Sequence, residues 1–557
     1  MTEDISRTET PLEMPSIVGI SFGNKTSSVA VVSRDGSIEL IANQDGDRFI
    51  PSALSYLNDD EYHGSQALSQ LVRNANNTVV NFRDFIGKEY AKIDPTHSAR
   101  SAHPVESDSK VSYQINGETV SVDTISARHL TRIRDLAADY LGVPVTKAVV
   151  AVPSDFTDVQ IQALHEIAKT IGLDILQTIK EPVAALIPYT FQSVHPSDKI
   201  SLVLDIGASR TDGAVIAVRG GLMCILATAH SYDFGGSSLD DILVDFIAKE
   251  FEKKYKVDPK SEPRAVAKMY AEAENVKRAL SASKTATISI ESLASGYDFH
   301  MSINRLKFEL LARKVFELFT SFADEVVAKS GLDSLQISEI VLAGGTSNIP
   351  KISTLLSAKF GELTTVVSPS TSIKAFNTSE LIARGCAMQA SWISALDADD
   401  IQEIMQPSVT VAAHTSKAIG VQLPDNELVV VVEQTTAVPI RKTVVLPGPA
   451  DDGSVLVSIA EADTEIVSRK IEKPAPSEND DDDDDLDGFE DDEDEEIREI
   501  KVKSAASIAD IVLEDVKGGS KIEIVINITS KLGMSIAARP VGSSSAVRLE
   551  TECSLSQ

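Results

Sequence analysis

Two short segments built from small residues carry the clearest chemistry in this chain. Residues 16–33 read SIVGISFGNKTSSVAVVS and residues 201–218 read SLVLDIGASRTDGAVIAV. Each is an apolar run, a turn opening at Gly23 or Gly207, and a second apolar run, so one hairpin is written twice. A turn of Gly, Ala and Ser aims successive backbone N–H groups into one concavity and admits a phosphate where a Cβ would stand in the way. Two such turns facing each other can hold one polyphosphate, although each taken singly is equally an ordinary hairpin turn. A third segment, AENVKRALSAS, spaces Glu274, Lys277, Arg278 and Ser281 at i, i+3, i+4 and i+7. That spacing gathers four polar groups on one helix face and turns Val276, Ala279 and Leu280 inward, a pattern that a solvated helix face shares. The chain contains no GxxxxGK(S/T), no GxGxxG after a strand and no HExxH, and its GxSxG, GISFG at 19–23, lies in a strand–turn–strand pattern rather than at the strand-to-helix turn of a nucleophile elbow. P-loop, dinucleotide-binding, zinc-protease and serine-hydrolase chemistry therefore have no support.

The elements that must position these residues change character along the chain. From Pro15 to Trp392, β-rich runs such as 148–152 and 201–205 alternate with helical patterns such as 264–283, as in an α/β domain. Beyond Ala395 the pattern becomes short alternating strands: VTVAAH, AIGVQL, LVVVVEQ and TVVLPG, then IVLEDV, IEIVINIT and MSIAAR. Period-two runs divided by turn residues predict an antiparallel β module. Between its halves, fourteen of the seventeen residues from Asp480 to Glu496 are acidic and none is basic. Repulsion at that density, after Pro474 and Pro476, predicts a disordered loop.

The 557 residues carry 52 Lys and Arg against 83 Asp and Glu, a net charge of −31 that repels nucleic-acid backbones and anionic lipid. No apolar stretch is long enough to cross a bilayer. The opening MTEDISRTETPLEMP lacks the basic start and apolar run of a secretory signal, so the chain is expected to stay in the cytosol. Cys224, Cys386 and Cys553 are an odd number at long spacings, read as buried or incidental thiols rather than a disulfide framework.

The ordered series GISFGNKTSS, VAVPSDF, IKEPVAALIPY, LVLDIGASRTDG, FGGSSLDD, AENVKRALSAS and VLAGGTSNIPKI resembles the nucleotide-binding domain of the heat shock protein 70 family. The resemblance implies an α/β, actin-like, two-lobed nucleotide-binding domain, then a truncated β-sandwich resembling the family's substrate-binding domain, without its helical lid. The expected division is a disordered 1–15, the actin-like domain 16–393, a linker 394–410 and the β-sandwich 411–557, with a disordered acidic loop at 477–497. By the same resemblance ATP is the ligand. Gly23, Asn24 and Lys25 form the first phosphate loop, and Asp205, Gly207, Ala208, Ser209, Arg210 and Asp212 the second. Asp205 is the candidate magnesium site, through water, and Glu181 orders that water. Gly235 and Gly236 cover the phosphates. Glu274, Lys277, Arg278 and Ser281 clasp the adenosine, with Gly344, Gly345 and Asn348 on the opposite wall.

The departures from the family pattern are concentrated where hydrolysis is done. Ser21 stands where the family has an Asp, Asn24 and Lys25 replace two threonines, and Ala208, Ser209 and Arg210 replace Gly-Gly-Thr. Alignment of the family's catalytic lysine with GSQALSQ puts Leu68 in its place. Each such group is typically worth ~100- to 1,000-fold in rate, so losing three predicts negligible hydrolysis. Binding groups are mostly kept, with Lys25 or Arg210 available as a fixed cation for phosphate. The leucine-rich interdomain linker is replaced by DADDIQEIMQP, which predicts weak coupling between nucleotide and β module.

Within the family this pattern is most similar to the Ssz-type subunits of fungal ribosome-associated complexes. It implies a cytoplasmic, ribosome-associated co-chaperone in a stable heterodimer with a zuotin-like J-protein, reaching ribosome and nascent chain through that partner and binding neither nucleic acid nor membrane directly. The alternative is an active foldase ATPase that binds unfolded peptides. A metabolic kinase of the same fold is opposed by the β module and by the lack of a sugar-site signature.

Overall fold

The computed structural model describes residues 17–33, 35–93, 100–192, 197–396, 413–423, 427–471, 495–543 and 545–552, with backbone alone at 464–471 and 495–505. The expected disordered terminus 1–15 and Cys553 lie outside these residues, as does all but the edges of the expected linker and acidic loop.

Apolar runs such as Ile17–Phe22 and Lys199–Ile206 are almost wholly buried because they become inner strands, covered on both faces. The first sheet runs in the order Asp174–Lys180, Lys147–Val152, Ile17–Phe22, Thr26–Val32, Ile38–Leu40. The second runs Leu222–Ser231, Thr211–Arg219, Lys199–Ile206, Glu339–Ala343, Thr365–Val367. In each, the duplicated hairpin is antiparallel, and its first strand pairs in parallel with the next one, Lys147–Val152 or Glu339–Ala343. The repeat seen in the sequence is thus a repeat of sheet topology.

Each sheet has its own core, one around Val18, Phe22, Phe82 and Val150, the other around Leu204, Leu243, Phe316 and Leu342. A third core joins them. It is made by helices Glu181–Thr190 and Leu381–Ser394 against Ile17, Val149, Val203 and Val341. The joint is tight: a Cβ on Gly385 would lie 1.8 Å from the Ala184 carbonyl oxygen, and one on Gly19 2.1 Å from the Ala387 nitrogen. These approaches clamp the two lobes at the floor of the cleft between the hairpin turns. Cys224 and Cys386 are buried thiols that form no disulfide with each other.

Residues 413–552 form two four-stranded antiparallel sheets. One holds Leu428–Val432, Ala418–Gln422, Gly453–Ile471 and Glu495–Val516, the other Ile440–Pro447, Lys521–Ile528, Gly533–Pro540 and Val547–Glu552. Ile419, Ile459, Ile511, Ile524 and Ile536 meet in one core between them. The period-two reading therefore found three strands of the second sheet and two of the first, but missed Val547–Glu552 and most of the longest strands. Gly453–Ile471 was not anticipated, and Glu495–Val516 starts well before the expected IVLEDV. Their Ala, Glu and Asp content lowers strand propensity, which cross-strand pairing overrides. The expected loop is shorter at its end as well, since Glu495, Glu496 and Ile497 pair with Ile471, Lys470 and Arg469.

Candidate functional site

The two turns meet across the cleft. Gly23 opens the first because a Cβ there would lie 2.3 Å from the Thr26 carbonyl oxygen. Asn24 Nδ2 donates to Ser209 Oγ at 3.1 Å, a buried bond from one turn to the other. The second turn is closed by Gly207 N–H on the Arg210 carbonyl and braced by Gly236 N–H and the Thr346 hydroxyl, both donating to the Gly207 carbonyl. Gly235 lies under Ala208, where a Cβ would come within 2.6 Å of its carbonyl oxygen. Gly344, at φ +83°, approaches Asp205 so closely that a Cβ would be 2.3 Å from Oδ1. Gly23, Gly207, Gly235, Gly236 and Gly344 therefore converge on one narrow space, while Asn348 Nδ2 donates to the Gly345 carbonyl and to Ser379 Oγ at its wall.

On helix Pro263–Ala282 the four clasp residues divide. Glu274 Oε2 meets Lys25 Nζ at 2.7 Å across the cleft, and Glu274 Oε1 accepts from the exposed Arg278. Burial alone would raise the Glu274 carboxyl, but Lys25 and Arg278 outweigh it and hold it at about 2. Lys277 turns inward, ion-paired with Asp240 at 2.6 Å and donating to the Gly236 carbonyl. Ser281 Oγ donates to the Lys277 carbonyl. The inward set differs from the expected one: Val276 and Leu280 are buried, but Ala279 is exposed and Ala273 takes its place. The helix is rotated slightly from the expected phase, which is what brings Lys277 inside.

The floor of the cleft is a buried lattice of charge. Arg83 pairs with Asp84 at 2.7 Å and with Glu181 at 2.6 Å. Arg210 pairs with both oxygens of Asp212, with Asp155 at 2.8 Å, and donates to the Tyr232 hydroxyl. Burial pushes Glu181, Asp205 and Asp212 upward, Asp205 to about 8 with further help from the charges of Glu181 and Asp212. The Asp205 carboxyl takes part in no hydrogen bond or ion pair among the described residues, although its backbone is paired in the sheet. The carboxyls of Asp84, Asp155, Glu181, Asp205 and Asp212 outnumber the guanidiniums of Arg83 and Arg210, an imbalance that a hydrated magnesium ion would offset. Among the described residues no three acidic, His or Cys side chains converge to ligate an ion directly, so such an ion would be held through water.

Two expectations need correction. Leu68 lies on helix Gly64–Ser69, which packs against strand Ala53–Leu57 and joins none of these contacts. The cation beside Glu181 comes instead from the turn Arg83–Phe85. Arg210 was expected to be free for phosphate, but its side chain is only 5% exposed and its charge is met by Asp212 and Asp155. Arg83, Asp84, Asp155, Tyr232 and Asp240 were not among the anticipated site residues. A signal existed for the first two, an Arg-Asp pair inside the apolar run FRDFI, where adjacent charges can be buried only as partners.

The family profile described as Hsp70 protein matches residues 17–472. Ribosome-associated complex subunit SSZ1 of Saccharomyces cerevisiae is 41% identical over 539 residues, covering 96% of this chain and 99% of that protein. A heat shock protein 70 homolog of Schizosaccharomyces pombe is 39% identical over 540 residues, covering 95% and 94%. Heat shock 70 kDa protein 14-B of Xenopus laevis is 30% identical over 455 residues, covering 80% and 87%. Among the described residues no helix is long and apolar enough to cross a membrane.

Proposed function

This chain belongs to the heat shock protein 70 family, and on that premise we propose that it is an atypical member that holds ATP without appreciable turnover and acts in a ribosome-associated chaperone complex. The observation that carries the reading is Arg210. An active site of this kind needs a place for the attacking water and mobile positive charge near the γ-phosphate. Here a guanidinium fills the second turn and is tied to Asp212 and Asp155 before any ligand arrives. Ser21, near the end of strand Ile17–Phe22 just before the first turn, stands where the family has a carboxylate, which lessens general-base and ion-holding capacity further.

The binding side of the site is built differently. Backbone donors of the two turns face the phosphates, Glu274, Lys277, Arg278 and Ser281 line the adenosine side, and Gly344, Gly345 and Asn348 form the far wall. Asp205, with Glu181 beside it, would hold magnesium through water, and the ion would offset phosphate charge. Arg83, rather than Leu68, is the proposed counterpart of the family's catalytic lysine, fixed to Glu181 and Asp84.

The similarity to the yeast subunit supports a place in a ribosome-associated complex; in this reading the chain forms a stable heterodimer with a zuotin-like J-protein in the cytoplasm and reaches ribosome and nascent peptide through it. In this reading residues 411–557 serve as a substrate-binding-like β-sandwich, and the edge strand Leu428–Val432 offers unpaired backbone to an extended partner segment. The test is a long incubation of the purified chain with labelled ATP. One equivalent should be recovered as ATP, whereas steady conversion to ADP at the rate of an active family member would overturn the proposal.

A further inference from the structure

Behind the first turn, a chain of hydrogen bonds runs from the protein interior to the backbone of Gly23. Ser52 grips that turn at two points: its hydroxyl donates to the Gly23 carbonyl at 2.7 Å and its N–H to the Lys25 carbonyl at 2.9 Å. Ser52 is held in place by the short pairing of Ile50 and Pro51 with Ser27 and Thr26. Its Oγ lies 3.0 Å from Ser27 Oγ, and Ser27 Oγ lies 2.9 Å from His129 Nε2. His129 comes from helix Val122–Leu141 on the back of the sheet and is wedged between Phe22 and Phe82.

The direction of this chain follows from its last member. A carbonyl oxygen only accepts, so the single hydroxyl proton of Ser52 is committed to Gly23. Ser52 must then accept from Ser27, and Ser27, its own proton committed, must accept from a proton on His129 Nε2. The other ring nitrogen bears this out, since Nδ1 is buried and has no partner among the described residues, the place of the unprotonated nitrogen in a neutral imidazole. Burial, with His63 nearby, pushes the ring down to about 3, so it stays neutral through the physiological range.

We propose that Ser52, backed by Ser27 and His129, is a positioning residue that sets the carbonyls of Gly23 and Lys25, and so aims the N–H groups of the first turn at the phosphates. The proposal rests on the nucleotide reading of the two turns and adds to it a part of the chain that touches no nucleotide. Each link is a neutral hydrogen bond, so removing the one that ends on the turn should weaken phosphate binding roughly three- to tenfold.

The experiment uses the full chain with the variants S52A, S27A, H129L and H129Q, the last retaining an N–H donor. Equilibrium binding is measured for ATP and for adenosine. Expected is a loss of ATP affinity in S52A, a smaller one in S27A and H129L, recovery toward the parent in H129Q, and adenosine binding unchanged throughout. Equal losses for ATP and adenosine, or unchanged ATP affinity in S52A, would overturn the proposal. Amide hydrogen exchange at residues 23–26 separates this from the nucleotide reading. If the parent binds no ATP, that reading fails; the hydrogen-bond chain still stands if S52A exchanges these amides faster and falls if their protection is unchanged.

Discussion

Replacing Arg210 by methionine keeps most of the side chain's length and removes its charge, which leaves the carboxylates of Asp212 and Asp155 without their partner. Arg210 and Asp212 are both almost fully buried, and the guanidinium meets both carboxylate oxygens. Breaking a buried pair from one side strands a charge and typically costs about 3 to 5 kcal/mol, whereas removing both partners costs much less. R210M should therefore lower the stability of the two-lobed part by roughly 4 kcal/mol, and R210M/D212N should recover about half of that, a coupling of ~2 kcal/mol. Urea unfolding at pH 7 reads both, with the midpoint of R210M falling by roughly 1 M or more. The pH dependence follows from the direction of the Asp212 shift. Burial raises its folded pKa while Arg210 opposes that rise, so R210M lets it rise further. An acid with a raised folded pKa adds stability below its unfolded value and loses it as the pH climbs through the folded value. The deficit of R210M should therefore grow from pH 5 to pH 8. A loss below ~1 kcal/mol, or one that the second substitution leaves unchanged, would refute the idea that Arg210 is committed to these carboxylates.

K25M removes the contact across the cleft and should cost about 1 kcal/mol at pH 7, since the pair is part-exposed. Because Glu274 is held low, its contribution is present above the unfolded pKa and disappears as the pH falls toward 2, so parent and K25M should converge in acid unfolding curves. Deleting residues 479–492 should leave the thermal transition of the chain in place, because it spares both strands that end at Ile471 and start at Glu495, while shortening a connection changes closure entropy little. L68K should not create ATPase activity in a single-turnover assay, as residue 68 sits on a helix outside the cleft. R83M should lower stability through Glu181 and Asp84, read by the same urea titration.

Local pattern carried much of this protein. The doubled hairpin at 16–33 and 201–218 was legible because strand periodicity and small-residue turns are written within a few neighbours, and it became the two sheets that face across the cleft. The glycines could be placed for the same reason: a close backbone approach excludes a Cβ whatever lies further away. The strands Lys521–Ile528 and Gly533–Pro540 announced themselves by a period-two pattern, with Ile522, Ile524, Ile526 and Ile528, then Met534, Ile536 and Ala538, buried at alternate positions. What stayed hidden was everything settled by partners distant in the chain. Arg83 and Glu181 are 98 residues apart, Lys25 and Glu274 are 249 apart, and no spacing rule joins them. Whether Arg210 is a free cation or a spent one depends on Asp155, 55 residues before it, being folded against it. The strands Gly453–Ile471 and Glu495–Val516 exist because they pair with each other, although Ala and acidic residues weaken each one's own tendency to extend. Backbone preference is a property of neighbours in sequence. The burial of a charge is a property of neighbours in space, because only the folded chain brings an opposite charge close enough to offset the loss of water.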